Sequence, residues 1–201
     1  MGGMPWIELD GAVNVRDLGG LATHNGSQTV TGRLLRGDNL QELSAADVAH
    51  LVDDVGLTTV VDLRSTAELE AEGPAPLQAV GSVRHVHLPV LPEQGSTTDM
   101  VADALLALAL GAVGVRPDAI VADYMATGER TGPLLDRLRR SPTYADDINS
   151  KPQAGHAPRP GTMAALLEQV DARYGGAGRW LADHGFGEDG PGLLRAKLLS
   201  A

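Results

Sequence analysis

The order of apolar and polar positions predicts strands alternating with helices through the first two-thirds of the chain, then helices alone. Trp6 to Leu18 reads as a short extended piece running into Asn14-Val15-Arg16-Asp17-Leu18-Gly19-Gly20, whose paired glycines favour a turn, and a second extended piece, Val30 to Arg36, ends at Gly37. Ser44 with Asp47 three residues on resembles a capping box, and Val48, Leu51, Val52 and Val55 follow at helical spacing until Gly56 stops the helix. Thr58 to Leu63 is a largely β-branched run of strand length, with Ser65 and Glu68 capping a short acidic helix behind it. After the Gly73-Pro74-Ala75-Pro76 break, Val83 to Leu91 reads as a further strand with His85 and His87 on one face, and Pro89 places it at an edge or a strand end.

Pro92 to Asp99 is expected to be a loop, with Thr97, Thr98 and Asp99 as candidate N-caps of a helix over roughly Met100 to Ala112. That helix is apolar on nearly every face, which predicts burial on several sides. Pro117 and Asp118 start a helix through Tyr124, and Pro133 starts a basic one through Arg140. Residues 141–161, rich in proline and poor in apolar side chains, read as a long surface loop. Helices near Met163 to Tyr174, Ala177 to His184 with Gly185 as C-cap, and Leu193 to Leu199 complete the chain. The expected fold class is α/β, a sheet flanked by helices with a helical C-terminal portion. One domain is expected over residues 1–201, with an α/β part over 1–140, the loop over 141–161 and C-terminal helices over 162–201.

Composition narrows the picture. The 201 residues are 43% hydrophobic, enough for a substantial core, but the aromatics are only Trp6, Trp180, Tyr124, Tyr144, Tyr174 and Phe186, so packing is expected to be aliphatic. A formal net charge of -10 repels nucleic-acid backbones and anionic membrane surfaces, so no nucleic-acid partner is expected. The segment Met1 to Asp10 has neither a basic n-region nor an apolar run, and Met100 to Val115 is too short to span a bilayer and contains Asp103. A cytoplasmic location without a transmembrane segment follows as the expectation. There is no cysteine, which excludes disulfides, thiolate metal sites and thiol nucleophiles together.

Candidate chemistry begins at the Thr58 to Leu63 strand. In open α/β sheets ligands collect at the carboxyl ends of strands, where helix N-termini present unpaired backbone donors, so Asp62 and Arg64 are site candidates by position. The plainer reading is a structural ion pair at a strand end. His85 and His87 have the i, i+2 spacing of a strand-face metal pair, but no third ligand is near in sequence, and ordinary half-buried histidines are the expectation. No metal or cofactor is expected. Gly95 to Asp99 reads as capping rather than anion binding, because Glu93 and Asp99 add negative charge there. Arg137 to Arg140 reads as solvated helix surface.

Three motifs in fixed order carry a resemblance: Asn14-Val15-Arg16-Asp17-Leu18-Gly19-Gly20, Gly32-Arg33-Leu34-Leu35-Arg36-Gly37 and Val60-Val61-Asp62-Leu63-Arg64-Ser65. Val86-His87-Leu88-Pro89, Leu110-Gly111-Ala112-Val113-Gly114-Val115, Ile120-Val121-Ala122-Asp123-Tyr124, Tyr174-Gly175-Gly176 and Trp180-Leu181 extend it over nearly the whole chain. The sequence resembles the bacterial tyrosine phosphatases of the mycobacterial protein tyrosine phosphatase B type. The resemblance implies phosphate monoester hydrolysis, a phosphorylated protein or phosphoinositide as partner, and a phosphate pocket to which Asn14, Arg16, Asp17, Arg36, Asp62 and Arg64 belong. For Asn14, Arg16 and Asp17 the alternative is a turn pinned by an Asn side chain and an Arg-Asp pair.

Members of that family carry, between the His-Leu-Pro stretch and the apolar helix, a segment ending in His-Cys-x-x-Gly-Lys-Asp-Arg-Thr-Gly. Here Gln94-Gly95-Ser96-Thr97-Thr98-Asp99 runs straight into Met100, without it. Its Cys thiolate is the nucleophile, its backbone N–H groups and Arg hold the equatorial oxygens, and its Asp protonates the leaving group. Catalytic residues are therefore expected to be absent. The strand leading to that loop is central in the family's sheet, so either Val83 to Leu91 shifts inward or the fold is compromised. Thr127-Gly128-Glu129-Arg130-Thr131-Gly132 imitates the second half of the motif, with Tyr124 where Cys would stand, but a phenol with an unperturbed pKa of about 10 is a poor nucleophile at neutral pH.

Overall fold

The computed structural model describes residues 6–89, 98–150 and 152–199. Among them, the strands are β1 (Arg16–Asp17), β2 (Leu35–Arg36), β3 (Thr59–Asp62) and β4 (Arg84–His87). The helices are α1 (Ala45–Ala49), α2 (Thr66–Glu72), α3 (Thr98–Ala112), α4 (Pro117–Leu138), α5 (Ala145–Ser150), α6 (Pro160–Tyr174), α7 (Ala177–Leu181) and α8 (Gly190–Leu199). The expected mixture of strands and helices, with helices alone in the C-terminal part, is present.

Both capping boxes form. The Ser44 hydroxyl accepts from the Asp47 N–H at 3.1 Å while the Asp47 carboxylate accepts from the Ser44 N–H at 2.9 Å. Ser65 and Glu68 repeat the arrangement at 3.2 and 2.7 Å. Each box satisfies donors that a helix start leaves orphaned. α1 continues through a wider turn, His50–Asp54, and stops before Gly56, whose φ of +75° is open to glycine without strain.

Asp47 does more than cap, because it also accepts from the Asp10 N–H and the Gly11 N–H, both at 2.9 Å. A Cβ on Gly11 would sit 2.1 Å from the Glu42 carbonyl oxygen, so only glycine permits this approach. Burial acts to raise the Asp47 pKa, but the backbone donors of Ser44, Asp10 and Gly11 prevail and hold it below its ordinary 3.8. A depressed folded pKa contributes stability that is present above the ordinary value and lost as pH falls through the folded one. Asp47→Asn should therefore cost roughly 1.5–3 kcal/mol at pH 7. It should also flatten part of the acid-unfolding slope below pH ~4, as read by denaturant melts from pH 7 to 2.

Two short sheets form among the described residues. β1 and β2 are antiparallel with Arg16 opposite Arg36, and β3 and β4 are parallel with Val60 opposite His85. The second extended piece is shorter than expected because Gly32, at φ +75°, turns the chain inside it. Val60 packs on a core of Ala12, Val15, Leu43, Leu51, Leu77 and Val83. The other face of the parallel pair is open: Val61 is 53% exposed and Leu88, just beyond β4, 51%. Parallel strands are ordinarily covered on both faces, and a two-stranded sheet has little stability of its own.

A second core of Leu18, Leu21, Leu110, Val113, Ile120, Met163 and Leu198 joins the β1–β2 segment to α3, α4, α6 and α8. As expected, α3 is buried on several sides, packing on α7, α6, α4 and α8.

Three expectations need correction. The two helices expected at Pro117 and Pro133 are one, α4, with Pro133 inside it. Pro133 removes one backbone bond, to the Glu129 carbonyl, but both residues are exposed and water can replace it. The stretch 141–161 is not all loop: Ser141 Oγ accepts from the Thr143 and Tyr144 N–H groups at 3.2 and 3.3 Å and starts α5, which buries Ile148. Arg137 is not solvated surface. Its guanidinium bonds to Asp38, to Glu42 at 3.0 Å and to the Asn39 carbonyl at 3.1 Å, locking the end of α4 to the segment after β2. No described helix is long and apolar enough to cross a membrane.

Candidate functional site

The antiparallel register places Arg16 and Arg36 directly opposite each other, two like charges that require anions nearby. α4 and α3 supply them. Arg16, fully buried, donates from Nε to Asp123 Oδ1 at 2.7 Å, from Nη2 to the Asp123 carbonyl at 2.8 Å and Thr127 Oγ1 at 3.2 Å, and from Nη1 to Asn14 Oδ1 at 2.7 Å. Arg36 donates from Nη1 to the second Asp123 oxygen at 3.0 Å and from Nη2 to Asp103. Asp123 thus bridges both arginines. Burial and the facing Arg36 lower the Arg16 pKa. Burial also opposes charge on Arg36, but Asp103 and Asp123 outweigh it and raise its pKa. The Trp6 ring covers Arg16 at 5.1 Å and Arg130 at 4.7 Å.

Asp17, beside Arg16 in sequence, takes a different role. Its carboxylate accepts from the Gly19 N–H at 2.8 Å and the Gly32 N–H at 2.6 Å, so it ties the turn that ends the first motif to the turn that opens the second. The aspartate that pairs with Arg16 is the distant Asp123.

Asp62 and Arg64 form a second group at the carboxyl end of β3. Arg64 Nε lies 2.9 and 3.1 Å from the two Asp62 oxygens, and Nη2 lies 2.6 Å from Oδ2. Burial works against both charges, yet the pair's bonds hold the Asp62 pKa below its ordinary value and lift that of Arg64. Arg64 Nη1 is buried without a hydrogen-bond partner among the described residues. Around it stand further acids: Tyr144 donates to Glu68 at 2.8 Å, and burial together with that bond raises the tyrosine pKa. Asn14, Arg16, Asp17 and Arg36 therefore share one region, while Asp62 and Arg64 are built into another.

The remaining motifs resolve into structure. His85 Nε2 bonds the Leu77 carbonyl at 3.0 Å and His87 Nε2 the Arg64 carbonyl at 2.9 Å. Among the described residues no group of three or more His, Cys, Asp or Glu is placed to hold a metal. Thr127 to Gly132 lies within α4, where backbone N–H groups serve the helix and cannot cradle an anion, and Arg130 pairs with Glu8. Gln94 to Thr97 fall outside the described residues, and of Thr98 and Asp99 only the backbone is described, as the start of α3. Asp103 and Asp123 were missed as partners of the arginines. The signal was there, since each is a lone acid in an apolar helical stretch, where a carboxylate survives only when paired.

A sequence model described as the tyrosine phosphatase family matches the chain in two stretches, residues 7–105 and 102–200. A chain from Cupriavidus necator, named "Putative tyrosine-protein phosphatase", is 34% identical over 140 residues. The match covers 64% of this chain, which spans about half (50%) of that relative's length.

Proposed function

The chain belongs to the tyrosine phosphatase family, and from that premise we propose that it is a non-catalytic member, of the mycobacterial B type, that cannot hydrolyse phosphate monoesters. The observation that carries this reading is the sequence's lack of any cysteine. Without a thiolate the family's covalent step has no nucleophile, and without the Cys-x5-Arg loop there is no cradle for the phosphoryl oxygens. Tyr124 is no substitute, being held in a helix turn against the aliphatic core. The family match gives further support, because its two stretches meet at residues 102–105, within a few positions of the Asp99–Met100 junction. The direct test is turnover of para-nitrophenyl phosphate, expected to stay at the buffer blank.

A second reading, that the chain is a shortened version of an active phosphatase, is favoured by the open face carrying Val61 and Leu88, where another strand and its covering helix would fit. Sequencing the source gene decides between them. An uninterrupted Asp99–Met100 junction supports the degenerate protein, and an intervening Cys-containing segment supports the shortened one.

A role in binding phosphorylated proteins or phosphoinositides at Asn14, Arg16, Asp17, Arg36, Asp62 and Arg64 finds less support. Arg16, Arg36 and Arg64 each already hold a carboxylate, so a phosphate would have to displace it and leave a buried acid unpaired. Millimolar phosphotyrosine should accordingly shift the melting temperature by less than about 1 °C. Saturation at ~100 times Kd would give roughly 5–10 °C, and a shift of that size restores the binding role.

A further inference from the structure

A groove of about 430 Å³ runs between α3, α6 and α7, away from the arginines described above. Leu105 and Leu108 of α3, Leu166 and Val170 of α6 and Trp180 of α7 line it. Its size lies within the range of small-molecule sites. One wall is preorganised: the Trp180 ring stacks on His184 at 4.3 Å, and Tyr174 meets the same imidazole edge-on at 5.9 Å. Among the described residues that line it one carries a full charge, Arg173, which is exposed and has no ion-pair partner among them. An apolar trough with a single free guanidinium at its side suits a molecule with a long apolar body and one anionic end.

We propose that this groove binds a single-chain anionic amphiphile, a free fatty carboxylate, with the alkyl chain along Leu105, Leu108, Leu166 and Val170 and the carboxylate at Arg173. Burial of the chain supplies the affinity and the guanidinium supplies the selectivity for an anion. The site stands independently of any phosphatase chemistry, because it shares no residue with the arginine–aspartate network.

Calorimetric titration of the whole protein with decanoate and decyltrimethylammonium, each below its micellar concentration, and with decanol below its solubility limit, tests the assignment. Decanoate should bind saturably at one site and more tightly than the cation. Arg173→Glu, a substitution on an exposed position that leaves the core intact, should weaken decanoate by roughly fivefold or more and reverse the preference. Val170→Trp, which fills the groove, should abolish binding of all three, with circular dichroism confirming the fold. The proposal is overturned if wild type binds nothing, if anion and cation bind alike, or if Arg173→Glu changes neither. It is equally overturned if sedimentation shows a dimer that Arg173→Glu or Val170→Trp disperses, since the groove would then be filled by a second copy of the chain.

Discussion

Replacing Asp123 with alanine should destabilise the protein by about 3–5 kcal/mol, more than any surface charge substitution in the chain, because it strands Arg16 as an uncompensated buried cation. Asp123 is 2% exposed and holds Arg16 through one oxygen and Arg36 through the other. Arg16 keeps the Asn14 and Asp123 carbonyl bonds in the variant, but neither carries charge. For a chain of this size the loss corresponds to a fall in Tm of roughly 6–20 °C.

The network also predicts an order of effects. Asp103→Ala should be milder, since among the described residues Asp103 pairs with Arg36 alone, whose side chain is 17% exposed. Asp118→Ala, which removes the exposed Arg116–Asp118 pair, should change stability by less than about 1 kcal/mol. Denaturant melts of the three variants check the ranking. Equal effects for Asp123→Ala and Asp118→Ala would show that the quartet of two arginines and two aspartates is not the internal tie that its geometry describes.

The same network explains what sequence reading could and could not reach. Helix starts were legible, because Ser44 with Asp47 and Ser65 with Glu68 act through bonds three residues apart. β3 and β4 were legible from their composition: β3 landed within a residue of its expected bounds, while β4 starts one residue late and ends at His87, short of the expected Leu91, which lies outside the described residues. The pairing of Arg16 was not, because its partner lies 107 positions away on α4, and the neighbouring Asp17 offered a local answer that the turn had already claimed. Arg137 misled for the same reason: Asp136, Arg139 and Arg140 beside it are charged, while Asp38 and Glu42 reach it from across the fold. α5 was hidden by prolines around a cap, Ser141, whose side chain also donates to Glu72 of α2.

The larger expected effect is on activity, and it rests on chemistry rather than packing. Phosphate monoesters are among the slowest substrates to react unaided, and enzymes accelerate their hydrolysis by up to about 10²¹-fold. That acceleration requires a nucleophile, donors placed for the equatorial oxygens and an acid for the leaving group. The family supplies these from one loop, and the sequence carries neither its cysteine nor its Cys-x5-Arg spacing. The remaining arginines are already paired: Arg16 and Arg36 face Asp123 and Asp103, and Arg64 faces Asp62. Introducing a single cysteine at position 124 should not confer turnover, since Tyr124→Cys would place a thiol in a helix whose N–H groups are already bonded.

Vanadate-sensitive hydrolysis of para-nitrophenyl phosphate by the purified chain is the measurement that bears most directly on this account. Release of nitrophenol at the buffer-blank rate, with and without vanadate, is the result it predicts. Clear vanadate-sensitive turnover that disappears on substitution of one residue of the chain would contradict it.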